Sequence, residues 1–335
     1  MPKHITIKDI AQEAGVSIAL VSFVMNNRIE ADGKQKYRVS EATKEKILEV
    51  AKRLNYRPNS AARILRQGRT HVLGVILSDL GNIFYGTIAH YLEKAAHDQG
   101  YTVLFGSTEE DPERLDRLVQ SFLEKDVEGF IVVPCQGGSP AMQRLIASGR
   151  PFVVIDREHP DFDVPSVLTD HADAMRQAVD AIRRQGATRI EMVSYAMRIS
   201  SMTDREACFR SILGPGAHIY HLPFNITEAD ADAVVDEVLR KGTDGLIMAS
   251  NVPSVAVLRA LFRRGVRIQK DIRIVCFDYS NVYSFFDPPI SYVLQPLPQI
   301  AREAAAYLFR LIDQKQKDGG MESTPERIIL KATLK

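Results

Sequence analysis

Short apolar runs alternate with helical stretches from residue 72 onward, and no other feature of the chain restricts its fold as strongly. Helices are expected at about 84–99, 112–125 and 140–149, between the strand-like runs "HVLGVIL", "YTVLFGS", "GFIVVP" and "PFVVID". The alternation then repeats with "RIEMVSY", "HIYHLPF", "DGLIMAS" and "IRIVCFDY". Short strands joined by helical crossovers form parallel sheets that helices cover on both faces. The sequence therefore predicts an α/β body with two similar lobes.

The two lobes are expected to be joined near residues 160–170 and again near 290–297. The first lobe would then span about 71–165 plus 296–320, and the second about 166–295, with a helix at about 298–315 returning to the first lobe. The C-terminal "RIILKATLK" is predicted to be a strand. Ligands of open α/β sheets bind beyond the carboxyl ends of the strands. Polar residues that follow the strands are therefore the candidates for a binding site.

The first 58 residues predict a small all-α unit ahead of this body. Thr6, with Asp9 three residues later, is typical of a capping box that begins a helix. Ser17 can cap a second helix that runs to about Asn26, and a third is expected in "SEATKEKILEVAKRLNY". Two short helices joined by a turn that contains glycine indicate a helix-turn-helix. The residues predicted to fill its interior are Ile10, Ala11, Val21, Val24, Ile47, Val50, Ala51 and Leu54.

Charge is unevenly distributed along the chain, although the net charge is only +1. Residues 1–70 contain 14 Lys and Arg against 7 Asp and Glu, whereas the remainder contains 29 against 35. A basic helical unit joined to a mildly acidic body favours nucleic-acid binding by the first unit. A small helical bundle with a merely solvated basic surface is the alternative.

The segment "YRPNSAARILRQGRT" follows the third helix and predicts a basic helix of about two turns, too short to be stable alone. Together with "TIKDIAQEAGVS", "VSEATKEKILEVAKRLNY" and "GVILSD", it resembles the lactose-repressor (LacI/GalR) family of bacterial transcription regulators over essentially the whole chain. The resemblance implies a helix-turn-helix DNA-binding domain at 1–58 and a hinge helix with linker at 59–70. The body at 71–335 would bind an effector, mediate dimerisation and be similar to a periplasmic binding protein.

The resemblance also implies a homodimer on double-stranded operator DNA, with paired heads in the major groove and Leu65 of each hinge inserted into the minor groove. The expected recognition helix, "VSIALVSFVMNN", is unusually apolar, since relatives usually have Arg or His at the position of Phe23. Apolar side chains can still contact thymine methyl groups. The long loop "NNRIEADGKQKYRVS" either adds backbone contacts or is a solvated basic loop. The predicted DNA-binding residues are Thr6, Lys8, Ser17, Ile18, Ala19, Ser22, Phe23, Asn26, Asn59, Ala62, Arg63 and Leu65.

Polar and aromatic residues after the strands match positions at which relatives of this family hold their effector. "LSDLGNIFYG" matches an Asn-Pro-Phe-Phe loop in which Ile83 replaces the proline, and Val252 replaces a usual Asp. Carboxylates, arginines and aromatic rings together indicate recognition of a sugar. A cap or a salt bridge is the alternative role for each residue alone, and Asp156 with Arg157 could simply bridge the lobes. The predicted effector-binding residues are Asn82, Phe84, Tyr85, Asp156, Arg157, Ser201, Arg205, Asn251, Asp278 and Gln295.

Catalytic, metal and cofactor sites are not predicted. The chain contains no "GxxxxGK[ST]", "GxGxxG", "HExxH" or "GxSxG" motif, and His218 and His221 would lie on opposite sides of a strand. The protein is therefore expected not to be an enzyme. The alternatives are a solute-binding protein or a sugar-acting α/β enzyme with an accessory DNA-binding head.

Cellular location and effector are less constrained than the fold. No apolar run reaches the roughly 18–20 residues of a membrane span, and the N-terminus lacks the apolar core of a signal peptide. The three cysteines form neither a metal-binding spacing nor a disulfide framework, so a cytoplasmic protein is expected. A sugar or sugar phosphate is the commonest effector in the family. A purine or a protein partner stays open, and so does the choice between induction and corepression.

Overall fold

The computed structural model describes residues 5–25, 39–56, 68–318 and 324–335. The chain divides into two compact units, Met1–Arg69 and Thr70–Lys335. In the first unit, α1 (Ile7–Ala14), α2 (Ile18–Met25) and α3 (Glu41–Arg53) form a helical bundle. Its fully or nearly fully buried residues are Ile10, Ala11, Ala14, Val21, Ile47, Val50 and Ala51, with Val24 and Leu54 packed against them. The predicted interior of the head is therefore confirmed.

Local hydrogen bonds explain where these helices begin and end. The carboxylate of Asp9 accepts from both the backbone N–H and the hydroxyl of Thr6, at 2.8 and 2.7 Å. Gly15 ends α1 at φ 67°, a left-handed conformation that glycine adopts without steric cost. The Ser17 hydroxyl oxygen accepts from the third backbone N–H of α2 at 3.2 Å, and Ser40 caps α3 in the same way. The capping residues predicted from the sequence are thus the ones the structure uses.

The first lobe of the second unit is built on a six-stranded parallel sheet, and one of its edge strands, β11 (Arg327–Leu330), comes from the C-terminal part of the chain. The strand order is β11-β5-β4-β3-β1-β2. Its helices connect successive strands, as a parallel sheet requires. In chain order its first elements are β1 (Val72–Leu77), α4 (Ile83–Asp98), β2 (Thr102–Ser107), α5 (Pro112–Glu124), β3 (Gly129–Val132), α6 (Ser139–Ser148), β4 (Phe152–Ile155) and β5 (Ser166–Thr169).

The second lobe repeats this arrangement, with the strand order β12-β10-β9-β8-β6-β7, in which β12 (Thr333–Leu334) is the C-terminal edge strand. All its neighbouring strands are parallel except β12, which runs antiparallel to β10. Its elements are α7 (His171–Arg184), β6 (Ile190–Tyr195), α8 (Ser200–Leu213), β7 (Ile219–Leu222), α9 (Glu228–Lys241), β8 (Gly245–Met248), α10 (Asn251–Arg263), β9 (Arg273–Phe277), a 3-10 helix (Asn281–Phe285) and β10 (Ser291–Leu294). Two α/β lobes with parallel sheets were predicted, and this fold class is confirmed.

The C-terminal elements return to both lobes. Helix α11 (Leu297–Asp318) packs on the first sheet, where Ile300, Ala304 and Leu308 are fully buried. The segment predicted as one strand, "RIILKATLK", forms two, β11 (Arg327–Leu330) in the first sheet and β12 (Thr333–Leu334) in the second. The chain therefore crosses between the lobes a third time, at residues 331–332, in addition to the two predicted crossings.

The predicted start of the second lobe, at about residue 166, needs a correction. Strand β5 pairs with β4 on one side and with β11 on the other, so Ser166–Thr169 belongs to the first sheet. The crossing follows Thr169, because the next helix, α7, packs in the core of the second lobe. In the described part of the chain, none of the helices combines the length and the apolar character needed to span a bilayer.

Candidate functional site

A cavity of about 470 Å³ lies between the two lobes, within the usual range for small-molecule sites. Its walls come from the segments that follow the strands of both sheets. In each sheet the strand order reverses next to the cavity, at β1 and at β6, and such switch points are where open α/β sheets bind ligands. Nine of the ten predicted effector-binding residues line the cavity, namely Asn82, Phe84, Tyr85, Asp156, Arg157, Ser201, Arg205, Asp278 and Gln295.

On the side of the first lobe, a buried hydrogen-bonded network surrounds Arg157. Its Nη1 donates to both carboxylate oxygens of Glu110, at 2.9 and 3.0 Å. Its Nε donates to Asp156 Oδ2 at 3.2 Å, and its Nη2 donates to the Tyr85 hydroxyl at 2.6 Å. That hydroxyl in turn donates to Asp156 at 2.9 Å, and the Ser78 hydroxyl donates to Glu110. Asp156 and Arg157 therefore pair within the first lobe, and the alternative that they bridge the lobes is wrong.

On the side of the second lobe, Arg205 is the largest fully buried side chain, with 1% of its surface exposed. Its Nη1 donates to the carbonyl oxygen of Ala249 at 2.5 Å, and its Nε donates to His171 Nδ1 at 3.3 Å. The guanidinium carbon lies 4.5 Å from the centre of the Phe277 ring. Burial lowers the pKa of Arg205. Burial also lowers the pKa of His171, and the positive charge of Arg205 lowers it further. This fits a neutral imidazole whose Nδ1 accepts the hydrogen bond from Arg205.

Asp278 follows β9 and is linked to the crossing between the lobes. It accepts from Gln295 Nε2 at 2.7 Å, and Gln295 Oε1 accepts from the Thr169 hydroxyl at 2.6 Å. Burial raises the pKa of the Asp278 carboxyl to about 6, although the positive charge of Arg205 opposes the shift. This chain of bonds connects the cavity with Thr169 and Gln295, which end β5 and follow β10 at two of the three crossings.

The tenth predicted residue, Asn251, lies at the start of α10 and contacts the opposite lobe. Its Nδ2 donates to Asn82 Oδ1 at 2.8 Å, and Asn82 Nδ2 donates back to Asn251 Oδ1 at 3.4 Å. Asn82 Oδ1 also accepts from the backbone N–H of Phe84 at 3.0 Å and so caps α4. Two further bonds join the lobes, from Glu158 N to Ser200 Oγ at 2.8 Å and from Arg198 N to Gln136 Oε1 at 3.0 Å.

Helix α2 of the head carries most of the predicted DNA-binding residues that the structure describes. Val21 is fully buried, whereas Ile18 has 43% of its surface exposed and Phe23 is half-buried. Ala19, Ser17, Thr6 and Lys8 are exposed and Ser22 is half-buried. The predicted residues Asn26, Asn59, Ala62, Arg63 and Leu65, and the basic loop, lie outside the described residues. The helix thus keeps Val21 in the core and exposes Ile18 and Ala19.

Known sequences match the chain over nearly its whole length. The profile of the "Bacterial regulatory proteins, lacI family" matches residues 6–59, and that of the "Periplasmic binding protein-like domain" matches residues 179–334. The chain is 28% identical to catabolite control protein A of Staphylococcus epidermidis over 336 residues, covering 98% of this chain and 99% of the relative. It is 27% identical to the probable HTH-type transcriptional regulator EndR of Paenibacillus polymyxa, covering 93% and 92%. The chain therefore combines a lacI-family helix-turn-helix segment with a periplasmic-binding-protein-like domain, and the predicted resemblance to the LacI family is confirmed.

Solved structures of LacI-family proteins share the fold. The lac repressor bound to ONPG in the repressed state superimposes with a TM-score of 0.82 at 22% identity, covering 99% of this chain and 98% of that one. The transcriptional regulator CelR in complex with cellobiose superimposes with a TM-score of 0.69 at 25% identity, again covering 99% and 98%. The prediction of a LacI-type transcriptional regulator is thus confirmed, and the named relatives are regulators rather than enzymes.

Several residues of the cavity were not predicted from the sequence. Glu110 lies three residues after β2, Tyr195 ends β6 and Phe224 lies two residues after β7. All three obey the strand-end rule, which is the signal that could have found them. The residue next to Glu110 has a surface role, since Glu109 pairs with Arg114 there.

The two histidines of "HIYHL" have separate carboxylate partners. His221 Nε2 lies 3.0 Å from Glu206 Oε1, and His218 Nε2 lies 4.0 Å from Glu237 Oε1. The described residues contain no cluster of three or more His, Cys, Asp or Glu side chains suited to a metal ion.

Proposed function

We propose that this LacI-family regulator is a homodimeric, operator-binding repressor whose DNA affinity is controlled by a sugar or sugar derivative bound between the lobes. The observation that carries the proposal is the composition of the cavity wall. Asp156 and Asp278 enter it from opposite lobes, together with aromatic side chains such as Tyr195 and Phe224. Carboxylates accept hydrogen bonds from sugar hydroxyls, and aromatic rings cover the apolar faces of sugar rings.

Relatives with known ligands support both the operator-binding part and the sugar-binding part of the proposal. One solved structure is a lac repressor dimer bound to operator and the anti-inducer ONPF. Another is a LacI-family regulator from Enterococcus faecalis with bound ribose, and CelR carries cellobiose. For this chain, residues 1–58 would contact the major groove and residues 59–70 would form the hinge that inserts Leu65. It would act in the cytoplasm, because the operator DNA lies there.

The proposed mechanism couples the cavity to the DNA through the lobes. A ligand that contacts Asp156 and Asp278 stabilises one arrangement of the two lobes over another. That rearrangement would change the spacing of the paired hinges and therefore the formation of the hinge helices on DNA. Such coupling requires that the ligand has different affinities for the two global states.

A screen of the purified full chain by thermal shift would identify the ligand among sugars, sugar phosphates and nucleobases. A ligand that prefers the native state raises the melting temperature. At a ligand concentration of a hundred times its Kd, it adds about 2.7 kcal/mol to the free energy of unfolding. Each hit is then titrated against operator DNA selected from a random pool, with Arg205→Ala as the variant expected to lose the response. Hits confined to nucleobases would contradict the sugar proposal, and a hit that leaves DNA affinity unchanged would contradict the regulatory role.

Binding-site selection also separates this proposal from the alternatives. A solute-binding protein or a sugar-acting enzyme with an accessory head would give no enriched sequence with two related half-sites. A regulator of the proposed kind should enrich such a sequence, because a symmetric dimer reads its site as two half-sites.

A further inference from the structure

The wall of the cavity carries more negative than positive charge. Among the described residues, four carboxylates line it, against the two guanidinium groups of Arg157 and Arg205. The carboxylates belong to Asp79, Glu110, Asp156 and Asp278. A phosphoryl group adds about −1.5 to −2 charges at neutral pH, so the number of cations available to it decides whether it is accepted.

Arg157 has little capacity left for a ligand anion. Glu110 accepts from Nη1 with both carboxylate oxygens, and Asp156 accepts from Nε. Nη2 donates to the hydroxyl of Tyr85. The side chains of Arg157, Glu110 and Asp156 are only 4–7% exposed, so this pairing takes place away from solvent, where a charge-assisted pair is strong. The carboxylates of Glu110 and Asp156 therefore already neutralise the charge of Arg157 within the first lobe.

Arg205 is the second cation, and it is held within the second lobe. Among the described residues its hydrogen bonds use Nε and Nη1, which leaves Nη2 for a ligand. Its charge also acts on the buried carboxylate of Asp278. One guanidinium nitrogen beside a carboxylate can bind a hydroxyl or ring oxygen, but it does not balance a phosphoryl group.

We propose that the cavity takes an uncharged sugar and excludes the phosphorylated form of the same sugar, and that Glu110 sets this selectivity by occupying Arg157. The inference rests on the proposed function in that the ligand is taken to be a carbohydrate. The inference goes beyond the proposed function because the resemblance to the family leaves both sugars and sugar phosphates open as effectors. Glu110 acts on selectivity through Arg157 and is therefore a positioning residue.

Matched pairs of probes test the first half of the proposal on the full chain. D-glucose is compared with glucose 6-phosphate, D-ribose with ribose 5-phosphate, and D-fructose with fructose 6-phosphate, by thermal shift and then calorimetry at constant ionic strength. At least one unphosphorylated sugar should stabilise the protein and bind about a hundredfold more tightly than its phosphorylated partner, since the uncompensated charge would have to enter a low-dielectric cavity.

Glu110→Gln tests the second half, because glutamine keeps the size of the side chain and one accepting oxygen while it releases the charge of Arg157. The discrimination against the phosphorylated sugar should fall by about tenfold or more. Glu109→Gln is the matched control, since it removes the same charge one residue away at a side chain that is 57% exposed and paired with Arg114. Should Glu110→Gln fail to fold, Asp79→Asn removes a charge from the half-buried rim of the cavity and should lower the discrimination by about threefold.

Each outcome decides a different part of the proposal. Equal or tighter binding of the phosphorylated sugar by the unmodified protein would overturn the inference and leave the proposed function standing. Equal changes in Glu109→Gln and Glu110→Gln would overturn the role of Glu110. If no carbohydrate of either kind stabilises the protein, the proposed sugar response fails, and the inference fails with it.

Discussion

The amide pair of Asn82 and Asn251 joins the two lobes, and Asn251→Ala removes it without disturbing the cap of α4. The bond at 2.8 Å is well formed, whereas the return bond at 3.4 Å is near the outer limit of hydrogen bonding and contributes little. A neutral hydrogen bond stabilises by about 0.5–1.5 kcal/mol, so the pair is expected to favour the joined lobes by about 1 kcal/mol. That energy corresponds to about a fivefold shift in the equilibrium between joined and separated lobes, and to a similar loss of ligand affinity if the ligand needs joined lobes.

Calorimetry with the sugar found in the screen measures the affinity, and small-angle X-ray scattering measures whether the unliganded variant has a larger radius of gyration. Asn281→Ala is the matched control, since this exposed residue lies in the same lobe at the start of the 3-10 helix. The control should bind within about twofold of the unmodified protein.

Two results would refute this reasoning. Unchanged affinity and unchanged scattering in Asn251→Ala would mean that the amide pair does not hold the lobes together. A loss of a hundredfold or more would exceed what the pair can contribute, and it would place Asn251 in direct contact with the ligand, as the sequence resemblance implies.

Three further predictions concern the second lobe, the hinge and the head. Because the pKa of Asp278 is raised to about 6, its carboxylate becomes protonated as the pH falls through 6. Sugar affinity measured by calorimetry should therefore fall from pH 7 to pH 5, and Asp278→Asn should abolish this dependence on pH. Leu65→Ala should weaken binding to the selected operator far more than to random DNA in a mobility-shift titration, because an inserted side chain helps only where the DNA bends; equal losses would indicate that Leu65 merely packs. Phe23→Arg should shift the preferred base toward guanine in binding-site selection, since arginine can donate two hydrogen bonds to guanine, worth about 1–3 kcal/mol of discrimination. If the unmodified protein already prefers guanine, this result would contradict base recognition by apolar side chains.

The fold could be predicted because its signals are local. Each central strand is a short apolar run bounded by polar or turn-forming residues, and helix starts such as Thr6, Ser17 and Ser40 are capping residues in both sequence and structure. The edges of the sheets could not be predicted in the same way. Strand β5 has only four residues, and its place is set by pairing with β11, which lies about 160 residues later in the chain. Such pairing leaves no mark in the local pattern of either segment.

The candidate site shows the same division between local and long-range information. Asp156, Arg205 and Asp278 could be proposed because they follow strands or match a motif of the family. Glu110 also lies beyond the end of a strand, but its role could not be proposed from the sequence, because that role depends on Arg157, 47 residues away. How far Arg157 is available to a ligand therefore depends on a contact that the sequence does not reveal.

The repeat of the two lobes explains why two carboxylates meet in the cavity, and why they differ. Asp156 follows β4 and Asp278 follows β9, the corresponding strands of the two sheets, and both have a left-handed backbone, at φ 69° and 64°. Asp156 lies 3.2 Å from a guanidinium nitrogen of Arg157, whereas Asp278 accepts from the neutral amide of Gln295. Burial therefore raises the pKa of Asp278, and hydroxyl groups of a ligand would favour its ionised form. Ligand binding is then expected to depend on the second lobe for its hydrogen-bond energy, while the first lobe supplies a wall with more carboxylates than cations, which excludes added negative charge.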